Sequence, residues 1–586
     1  MKKVILLVML LPLQAFSQIV IELPVQNNLQ SQSEGLISFI SKECGNIIIS
    51  EIMADPSPPV GLPEDEYIEI YNRSGTVIDL GKWQLCIGNQ CITFSQVEIK
   101  GDEYLILCSH TDTSKFRNYG RVIGFKSFPS LPAEKGTVFI KDSQDKFVHG
   151  IEYTSDWYNN KLKEAGGWSL EMKDTDFPFH TEGNWQASDS GAGGTPGKKN
   201  SVSGTNPDNT FYGIENVFPS DSLTFEITFS ESVPYLPELQ EPLSIEGHQV
   251  SLISGSDRLL RRFIFRMTEP LRKGEVCTVT ISDGLTDFAG NLAARGSFRF
   301  GLPVTADKRD IVFNELLFNP LPESYDYFEL VNCSNKIIDA SQLFTVSINP
   351  ETGDTSALKC ISQEGRCIIP GSLYAVTTNP ENIASIYNSS DRENIHKASS
   401  LSSMPDDKGH LLLLSRKMDV IDEVVYSEKQ HYPLISDNEG ISLEKIRPDL
   451  PSMTGSNWHS ASESSGWGTP GAVNSVYNAV NSSGDQLILS SRRISPDNDG
   501  NEDVLIIDFN LEGNGNIISV TIFDETGNFI KNLAENFLSG DHATLAWNGL
   551  NESGSLVQTG IYIILVNLYN DKGKIRSFKK VCTVIR

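Results

Sequence analysis

The 586-residue chain lacks the sequence signatures of the common catalytic centres. It contains no Gly-x-Ser-x-Gly nucleophile elbow, no His-Glu-x-x-His zinc motif and no phosphate-binding loop of the Walker type. Its nine histidines stand singly, without the spacing that metal ligands have. Carboxylates are so numerous that no pair can be singled out as a general acid and base. We therefore expect a protein that is not an enzyme, and we expect most of the histidines in loops or on the surface.

The chain also lacks an apolar run long enough to span a bilayer, which takes about 20 residues. Its most apolar stretch, Val4–Leu13, follows Lys2 and Lys3 and precedes Ala15-Phe-Ser17. This order is typical of a secretory signal peptide over residues 1–17. The first cysteine lies far beyond it, at position 44, so no lipid anchor is expected. The sequence predicts an exported protein, either secreted or associated with the outer-membrane surface.

Basic residues are few. The chain has 48 Lys and Arg against 75 Asp and Glu, which gives a formal net charge of −27. Such an excess repels phosphate backbones and anionic lipids, so no nucleic-acid partner is expected. The same carboxylates are available to hard cations such as Ca²⁺.

Long helical periodicity is nearly absent, and what is present is a period of two. Apolar and polar residues alternate in stretches such as Tyr67–Tyr71, Leu223–Phe229 and Ser519–Phe523. Turn residues separate these stretches at the spacing typical of β-sandwiches. Only Trp157–Glu164 and Pro380–Tyr387 indicate short helices. We predict an all-β protein of four Ig-like antiparallel β-sandwich domains in tandem.

The chain carries one set of motifs twice. Residues 49–56 and 66–72 recur as residues 313–320 and 326–332, each time with a central glutamate. The ends of the two copies also match, through Gly167–Glu171 and Gly440–Glu444, Asn184-Trp185 and Asn457-Trp458, and Gly194–Gly197 and Gly468–Gly471. A duplicated unit without a catalytic constellation is typical of a protein that binds or holds something.

The repeated side chains have two interpretations. Glu51/Glu315 and Glu69/Glu329 belong either to a ligand surface or to hydrogen bonds inside the fold. We favour the structural interpretation, because a carboxylate buried in a sandwich must be hydrogen-bonded. Trp185 and Trp458 are expected to pack in the core near the end of each copy.

Turn-rich stretches divide the chain into segments. The predicted segments are a signal peptide (1–17), a linker (18–44), the first copy (45–204), a middle segment (205–303), the second copy (304–478) and a C-terminal segment (479–586).

Both copies resemble the bacterial form of the lamin-tail domain, an immunoglobulin-like β-sandwich. The resemblance rests on the opening strand with its central glutamate, the Glu/Asp-Tyr-x-Glu strand, an Ile-Asp pair after the turn, and the final Asn-Trp and Thr-Pro-Gly. It covers residues 45–202 and 309–476. Bacterial lamin-tail domains occur beside secreted nucleases and other hydrolases, so the resemblance also implies, as an alternative, an accessory role in a hydrolase system.

The other two segments resemble different Ig-like families. Residues 209–302 resemble the bacterial Ig-like domain of S-layer and other surface proteins, through Ile227–Val233 and Asp287–Asn291. Residues 486–586 resemble the Ig-like fold of flagellar hook-assembly proteins and the C-terminal domains exported by type IX secretion in the Bacteroidetes. The C-terminal segment departs from the usual sorting pattern in its Asp-Asn-Asp-Gly sequence, and it ends in Val-Cys-Thr-Val-Ile-Arg.

Nine cysteines in an exported chain indicate some disulfides and at least one free thiol. Two pairs are close in sequence at corresponding points of the copies, Cys86/Cys91 and Cys360/Cys367. Facing positions of a hairpin meet the distance limits of a disulfide, and neither pair has the spacing of a zinc site. We predict two hairpin disulfides. The other five are expected to be buried apolar residues or disulfide partners, and they are Cys44, Cys108, Cys277, Cys333 and Cys582.

The metal candidate is a run of oxygen side chains, Asp497, Asp499, Asn501 and Asp503. Such side chains around a glycine turn can converge on Ca²⁺, which takes roughly six to eight oxygen ligands. The position that usually supplies a bidentate glutamate falls on Asp508, in a predicted strand. A plain Asp/Asn/Gly turn explains the same composition, because these residues tolerate left-handed backbone. Both interpretations stay open, and neither requires a cofactor for folding.

These observations favour a secreted, non-catalytic, multi-domain cell-surface protein of a Gram-negative bacterium, with adhesive or scaffold modules. Its expected partners are proteins or glycans at the cell envelope or in the extracellular matrix, and duplication would raise avidity. One alternative is a non-catalytic accessory component that acts in trans in an extracellular hydrolase or nuclease system. The other is an S-layer-like structural protein that assembles with copies of itself.

Overall fold

The computed structural model describes residues 40–585 apart from 182, 235–241, 256, 283, 350–351, 388, 390, 432–434, 436, 478–485, 498–501, 512–514 and 570–574. The predicted signal peptide lies outside the described residues. Strands make up 43% of the chain and helices 7%, which confirms the all-β class. None of the helices in the described part of the chain has the length and apolar character needed to cross a membrane.

Two compact units make up the chain. One contains the residues up to Asn216 together with Thr224–Thr268 and Val279–Phe298. The other contains Val217–Leu223, Glu269–Thr278 and Arg299–Arg586.

The first copy has two main sheets and a small two-stranded one. Its strands are β1 (Ile47–Met53), β2 (Tyr67–Asn72), β3 (Ile78–Asp79), β4 (Gln84–Ile87), β5 (Gln90–Thr93), β6 (Glu98–Ile99), β7 (Tyr104–Ser109), β8 (Val122–Phe125), β9 (Lys135–Lys141), β10 (Phe147–Thr154), β11 (Leu170–Met172) and β12 (Trp185–Ala187). The strand orders are β12-β11-β1-β2-β7-β8, β10-β9-β4-β5 and β3-β6. The short helices are α1 (Thr113–Phe116) and α2 (Lys161–Glu164), with a 3₁₀ turn at Ser155–Tyr158.

Both faces of the six-stranded sheet are covered in its middle. Ile68 and Ile70 of β2 point into the main core between the sheets. Tyr67 belongs to a smaller apolar cluster on the other face, which includes Phe116 of α1. Burial on both faces explains why β1 has no exposed residue and why its sequence is almost continuously apolar.

The middle segment is also built from two sheets. Its strands are β13 (Phe211–Pro219), β14 (Thr224–Phe229), β15 (Leu243–Ile245), β16 (Val250–Gly255), β17 (Arg262–Met267), β18 (Cys277–Ile281), β19 (Ala293–Arg295) and β20 (Ser297–Phe300). The orders are β16-β17-β14-β13-β19 and β15-β18-β20. Stacked rings of Phe225 and Phe265, with centroids 5.6 Å apart, join β14 to β17 in the core.

The second copy repeats the strand order of the first. Its strands are β21 (Ile311–Leu317), β22 (Tyr327–Asn332), β23 (Ile338–Asp339), β24 (Leu343–Ser347), β25 (Lys359–Cys360), β26 (Cys367–Ile368), β27 (Leu373–Thr377), β28 (Ile395–Lys397), β29 (Lys408–Ser415), β30 (Val420–Ser427), β31 (Leu443–Lys445) and β32 (Trp458–Ser460). The orders β32-β31-β21-β22-β27-β28, β30-β29-β24-β25 and β23-β26 are those of the first copy with twenty added to each number. Even the bulge recurs, before Glu51 in β1 and before Glu315 in β21.

The helix of the second copy covers the same face as α1 does in the first. α3 (Pro380–Ile386) begins after Asn379, whose side chain accepts a hydrogen bond from the backbone N–H of Asn382, and proline occupies its first turn. Ile383 packs with Tyr327 on that face. The 3₁₀ turns of this copy are Ala340–Gln342, Arg392–Asn394, Glu428–Gln430, Gly455–Asn457 and Glu463–Ser465.

The C-terminal segment is a fourth pair of sheets. Its strands are β33 (Gln486–Leu489), β34 (Arg493–Ile494), β35 (Leu505–Asn510), β36 (Asn516–Asp524), β37 (Phe529–Ser539), β38 (His542–Trp547), β39 (Gly560–Tyr569) and β40 (Ile575–Val584). The orders are β33-β35-β38 and β34-β40-β39-β36-β37. Trp547 is fully buried between them, and its ring lies 5.3 Å from that of Tyr562.

Candidate functional site

Three glutamates lie side by side across the six-stranded sheet of the first copy. Glu51 on β1 is directly opposite Glu69 on β2 and Glu171 on β11. All three have 0% exposure. Directly opposed residues on adjacent strands are about 5 Å apart, so the three carboxyl groups share one buried site. We call these residues the first glutamate cluster.

Glu51 is held by three hydrogen bonds to one of its oxygens. Its Oε1 accepts from the hydroxyl of Tyr67 at 2.7 Å, from the hydroxyl of Ser169 at 2.6 Å and from the backbone N–H of Thr195 at 2.7 Å. Its other oxygen, Oε2, is buried and has no hydrogen-bond partner.

The other two glutamates accept hydrogen bonds from Thr195 and from residues shortly after it in the sequence. Glu69 accepts from the backbone N–H of Gly197 at 2.5 Å. Glu171 accepts from the hydroxyl of Thr195 at 2.8 Å and from that of Ser201 at 2.8 Å. The Thr-Pro-Gly segment Gly194–Gly197, which we call the closing loop, is therefore fixed to all three glutamates. Gly197 has φ +81°, and a Cβ there would lie 2.3 Å from the carbonyl oxygen of Tyr119, so only glycine fits.

The second copy contains the same arrangement. We call Glu315, Glu329 and Glu444 the second glutamate cluster. Glu315 accepts from Tyr327, from Ser442 and from the backbone N–H of Thr469. Glu329 accepts from the backbone N–H of Gly471 at 2.7 Å, and Glu444 from the hydroxyl of Thr469 at 2.8 Å. The repeated sequence motifs therefore supply the contacts between the first strands and the closing loop, which in the second copy is Gly468–Gly471.

Burial dominates the protonation of these carboxyl groups. Loss of water and the neighbouring charge of Glu171 raise the pKa of Glu51 to about 7. Burial and the charge of Glu51 raise the pKa of Glu69 well above its ordinary value. In the second cluster burial and the charge of Glu315 raise the pKa of Glu444 to about 8. Near neutral pH each cluster therefore retains protons, which reduces the repulsion among its carboxyl groups.

The clusters have a structural role, as predicted for Glu51/Glu315 and Glu69/Glu329. With 0% exposure they cannot contact a substrate, and their hydrogen bonds fasten a distant segment to the sheet. Sequence reasoning missed Glu171 and Glu444, although both end a repeated Ser-Leu-Glu motif. The expected core positions of the tryptophans are confirmed, since Trp185 and Trp458 are each 4% exposed.

The first predicted disulfide is present. Cys86 and Cys91 are opposite each other in the β4–β5 hairpin, and their sulfur atoms are bonded.

The prediction for Cys360 and Cys367 is wrong. Cys360 pairs with Phe344 in the four-stranded sheet, whereas Cys367 pairs with Asp339 in the two-stranded sheet, so the two thiols do not face each other. Both cysteines are free. Of the remaining five, Cys108, Cys277 and Cys582 are buried, Cys44 is partly buried, and Cys333 is exposed, contrary to expectation.

The predicted calcium site is only partly within the described residues. Asp499 and Asn501 lie outside them, whereas Asp497, directly before that gap, and Asp503, two residues after it, are described. Calcium binding at Asp497, Asp499, Asn501 and Asp503 stays a prediction.

A serine and a lysine in the second copy have the contact of a nucleophile and its base. The Nζ of Lys445 donates to the hydroxyl of Ser452 at 2.7 Å, and this hydroxyl donates to Asp422 at 2.6 Å. Burial lowers the pKa of Lys445 to about 8. However, the three side chains are 0%, 2% and 6% exposed, so no substrate reaches the hydroxyl. The group is a buried hydrogen-bonded chain in which the hydroxyl of Ser452 links Lys445 to Asp422.

A second buried group combines an imidazole with carboxylates. The Nδ1 of His180 lies 3.5 Å from Asp208 Oδ1 and 3.5 Å from Glu231 Oε1. These three residues are 7%, 6% and 9% exposed. Burial and the charges of Glu231 and Asp287 raise the pKa of Asp208 to about 6. Three histidines, His149, His180 and His431, are buried; His180 and His431 lie in loops, as expected of most histidines, whereas His149 lies on β10.

Family comparison identifies two of the four segments. Residues 41–155 match the Lamin Tail Domain, and residues 198–301 match the Bacterial Ig-like domain. The resemblances stated for these two segments are confirmed. Both matches together cover less than half of the chain. No curated protein matches the sequence.

Solved structures resemble the chain only weakly. CopC from Methylosinus trichosporium OB3b is 18% identical with a TM-score of 0.13, and the match covers 17% of this chain and 93% of CopC. The S-layer protein rSbsC(31–844) is 14% identical with a TM-score of 0.15, covering 64% of this chain and 54% of that one. Dimeric latent PorU from Porphyromonas gingivalis is 8% identical with a TM-score of 0.15, covering 76% and 40%. The chain thus spans about half of the S-layer protein, and scores this low establish no shared overall fold.

Proposed function

We propose that the chain is an exported, non-catalytic surface protein whose β-sandwiches act as adhesive or scaffold modules. The observation that carries this proposal is the use made of the repeated carboxylates. In an enzyme the repeated acids would line a cleft, but here both glutamate clusters are closed to solvent and fasten the closing loops. The repeated glutamates therefore stabilise the fold of each copy, and the loops and outer faces of the sandwiches are the parts available for recognition.

Duplication supports a binding role. Two linked modules that engage neighbouring ligands can bind about 10²- to 10⁴-fold more tightly than either module alone. The partners would be proteins or glycans of the cell envelope or the extracellular matrix. The C-terminal segment would serve export through type IX secretion or attachment to the outer membrane, as its resemblance implies.

The experiment compares the purified full chain with purified variants that lack residues 45–204, residues 304–478 or both. Retention of the purified proteins on isolated envelopes and on glycan arrays is measured at equal surface density. Binding by the full chain, reduced at least tenfold by either deletion, supports the proposal. Full binding after both deletions would contradict it, because the copies would then contribute nothing.

The alternatives predict other results. An accessory component of a hydrolase system would accelerate turnover by a partner nuclease or glycosidase without binding to envelopes. An S-layer-like protein would form ordered sheets from the purified chain, visible by electron microscopy.

A further inference from the structure

The group around His180 stands where the first copy meets the Bacterial Ig-like domain. His180 belongs to the first copy, Asp208 lies just before β13 of the middle segment, and Glu231 lies two residues after the end of β14. All three belong to the same compact unit. Their ligand atoms lie within 4.8 Å of one another. An ion placed among them would be roughly 2.0–2.4 Å from each atom, which overlaps the lengths of Zn–N and Zn–O bonds.

A third carboxylate adds to the negative charge of this site. Asp287 is 2% exposed, and its carboxylate accepts from the same Asn291 side chain as Asp208 does. Within the described part of the chain, His180 is the one basic side chain within 4 Å of Asp208 and Glu231. A histidine carries at most one positive charge, which cannot neutralise three buried carboxylates, and a buried charge without compensation is costly. A divalent cation would supply the missing positive charge.

The surrounding contacts hold the donors in place. The side-chain N–H groups of Asn291 donate to Asp208 Oδ1 at 2.9 Å and to Asp287 Oδ2 at 2.9 Å. Such outer hydrogen bonds are what orients carboxylate ligands in metal sites. Phe179 precedes His180, and Phe288 follows Asp287. The rings of these two phenylalanines are stacked with centroids 3.6 Å apart. The site is therefore already assembled.

Glu231 lines a cavity of ≈ 60 Å³, whose wall also includes the neighbours of His180, Phe179 and Thr181. A cavity of this size has room for water. A water there would complete the fourth position of a tetrahedral ion.

We propose that His180, Asp208 and Glu231 form a divalent transition-metal site that joins the first copy to the Bacterial Ig-like domain, with Zn²⁺ as its representative ion. A nitrogen ligand beside two carboxylates favours Zn²⁺ over Ca²⁺ and Mg²⁺, which prefer oxygen ligands only. The ion would tie together segments that otherwise depend on ring stacking and hydrogen bonds. This site is independent of the proposed function.

The test uses the full chain after treatment with a chelator. Binding of Zn²⁺ is measured by isothermal titration and by metal analysis of the dialysed protein, and Co²⁺ is added to record its visible absorption. We expect one Zn²⁺ per chain at this site, an absorption band of Co²⁺ with nitrogen and oxygen ligands, and a higher melting temperature. His180→Gln and Glu231→Gln should each weaken binding at least tenfold.

The matched control is His410→Gln. His410 also contacts a carboxylate, Glu423 at 2.8 Å, but it belongs to no cluster of three donors in the described residues. Its replacement should leave the affinity for Zn²⁺ unchanged. Circular dichroism of the metal-free variants shows whether each is folded. If His180→Gln is unfolded, the isosteric variant Glu231→Gln takes its place in the test.

Three results would overturn the proposal. They are no bound Zn²⁺ in the wild-type chain, equal affinity in the folded His180→Gln variant, and displacement of Zn²⁺ by an equal concentration of Ca²⁺ or Mg²⁺. In the first case the group would be a buried ion pair of His180 with two carboxylates.

Discussion

Replacement of Glu51 by glutamine should change how the stability of the first copy depends on pH. Burial raises the pKa of Glu51 from its ordinary 4.5 to about 7, so the folded state holds a proton more tightly than the unfolded state does. The stability that this proton supplies is complete below pH 4.5 and is lost as the pH rises through 7. One pKa unit corresponds to about 1.4 kcal/mol, so the loss amounts to about 3 kcal/mol.

Glutamine cannot titrate, but it retains the oxygen that accepts from Tyr67, Ser169 and Thr195. Its amide nitrogen would take the place of Oε2, which has no partner in the wild-type chain. The free energy of unfolding of Glu51→Gln relative to the wild type should therefore increase by about 3 kcal/mol between pH 4.5 and pH 8. Glu51→Ala differs, since it leaves three buried donors unpaired and should cost about 3 kcal/mol or more at every pH.

The assay is hydrogen exchange of peptides from residues 45–204 in the full chain, followed by mass spectrometry at several pH values after correction for the intrinsic rate. Glu315→Gln is the matched control, because it should alter peptides of residues 304–478 and leave those of the first copy unchanged. A difference between Glu51→Gln and the wild type that stays constant with pH would refute the reasoning.

Three further predictions concern other parts of the fold. Alkylation in denaturant without reductant should modify seven of the nine cysteines by intact mass, because only Cys86 and Cys91 are bonded, and five would indicate a second disulfide. Gly409→Ala should destabilise the second copy by about 1–3 kcal/mol in urea unfolding, since its Cβ would lie 2.3 Å from the ring of Tyr426; an unchanged midpoint would contradict the packing. Lys445→Met should cost about 1–3 kcal/mol in the same assay, because it removes the lysine donor to Ser452 and a positive charge near the buried Asp422, and adding Asp422→Asn should recover part of that loss.

Much of the fold could be predicted from the sequence because its signals are local. Alternation predicted the strands, and the short helices expected over Trp157–Glu164 and Pro380–Tyr387 are present. The repeated motifs indicated duplication, and the strand order shows it directly. The hairpin disulfide was predictable for the same reason, since Cys86 and Cys91 are separated by a single turn.

What depends on contacts between distant segments could not be predicted. Cys360 and Cys367 are as close in sequence as a hairpin requires, but the strands that contain them enter different sheets. The carboxylate neighbours of His180 could not be predicted, because none of them stands near it in the sequence. Its partners Asp208 and Glu231 reach it only through the packing of one domain against the next.

The account depends most on export to the cell surface. The direct measurement is to treat intact producing cells with a protease and detect the chain with antibodies against residues 45–204 and 304–478. We predict that both copies are degraded while a periplasmic marker stays intact. Protection of both copies until the outer membrane is opened would contradict the account, because the modules could then contact no ligand outside the cell.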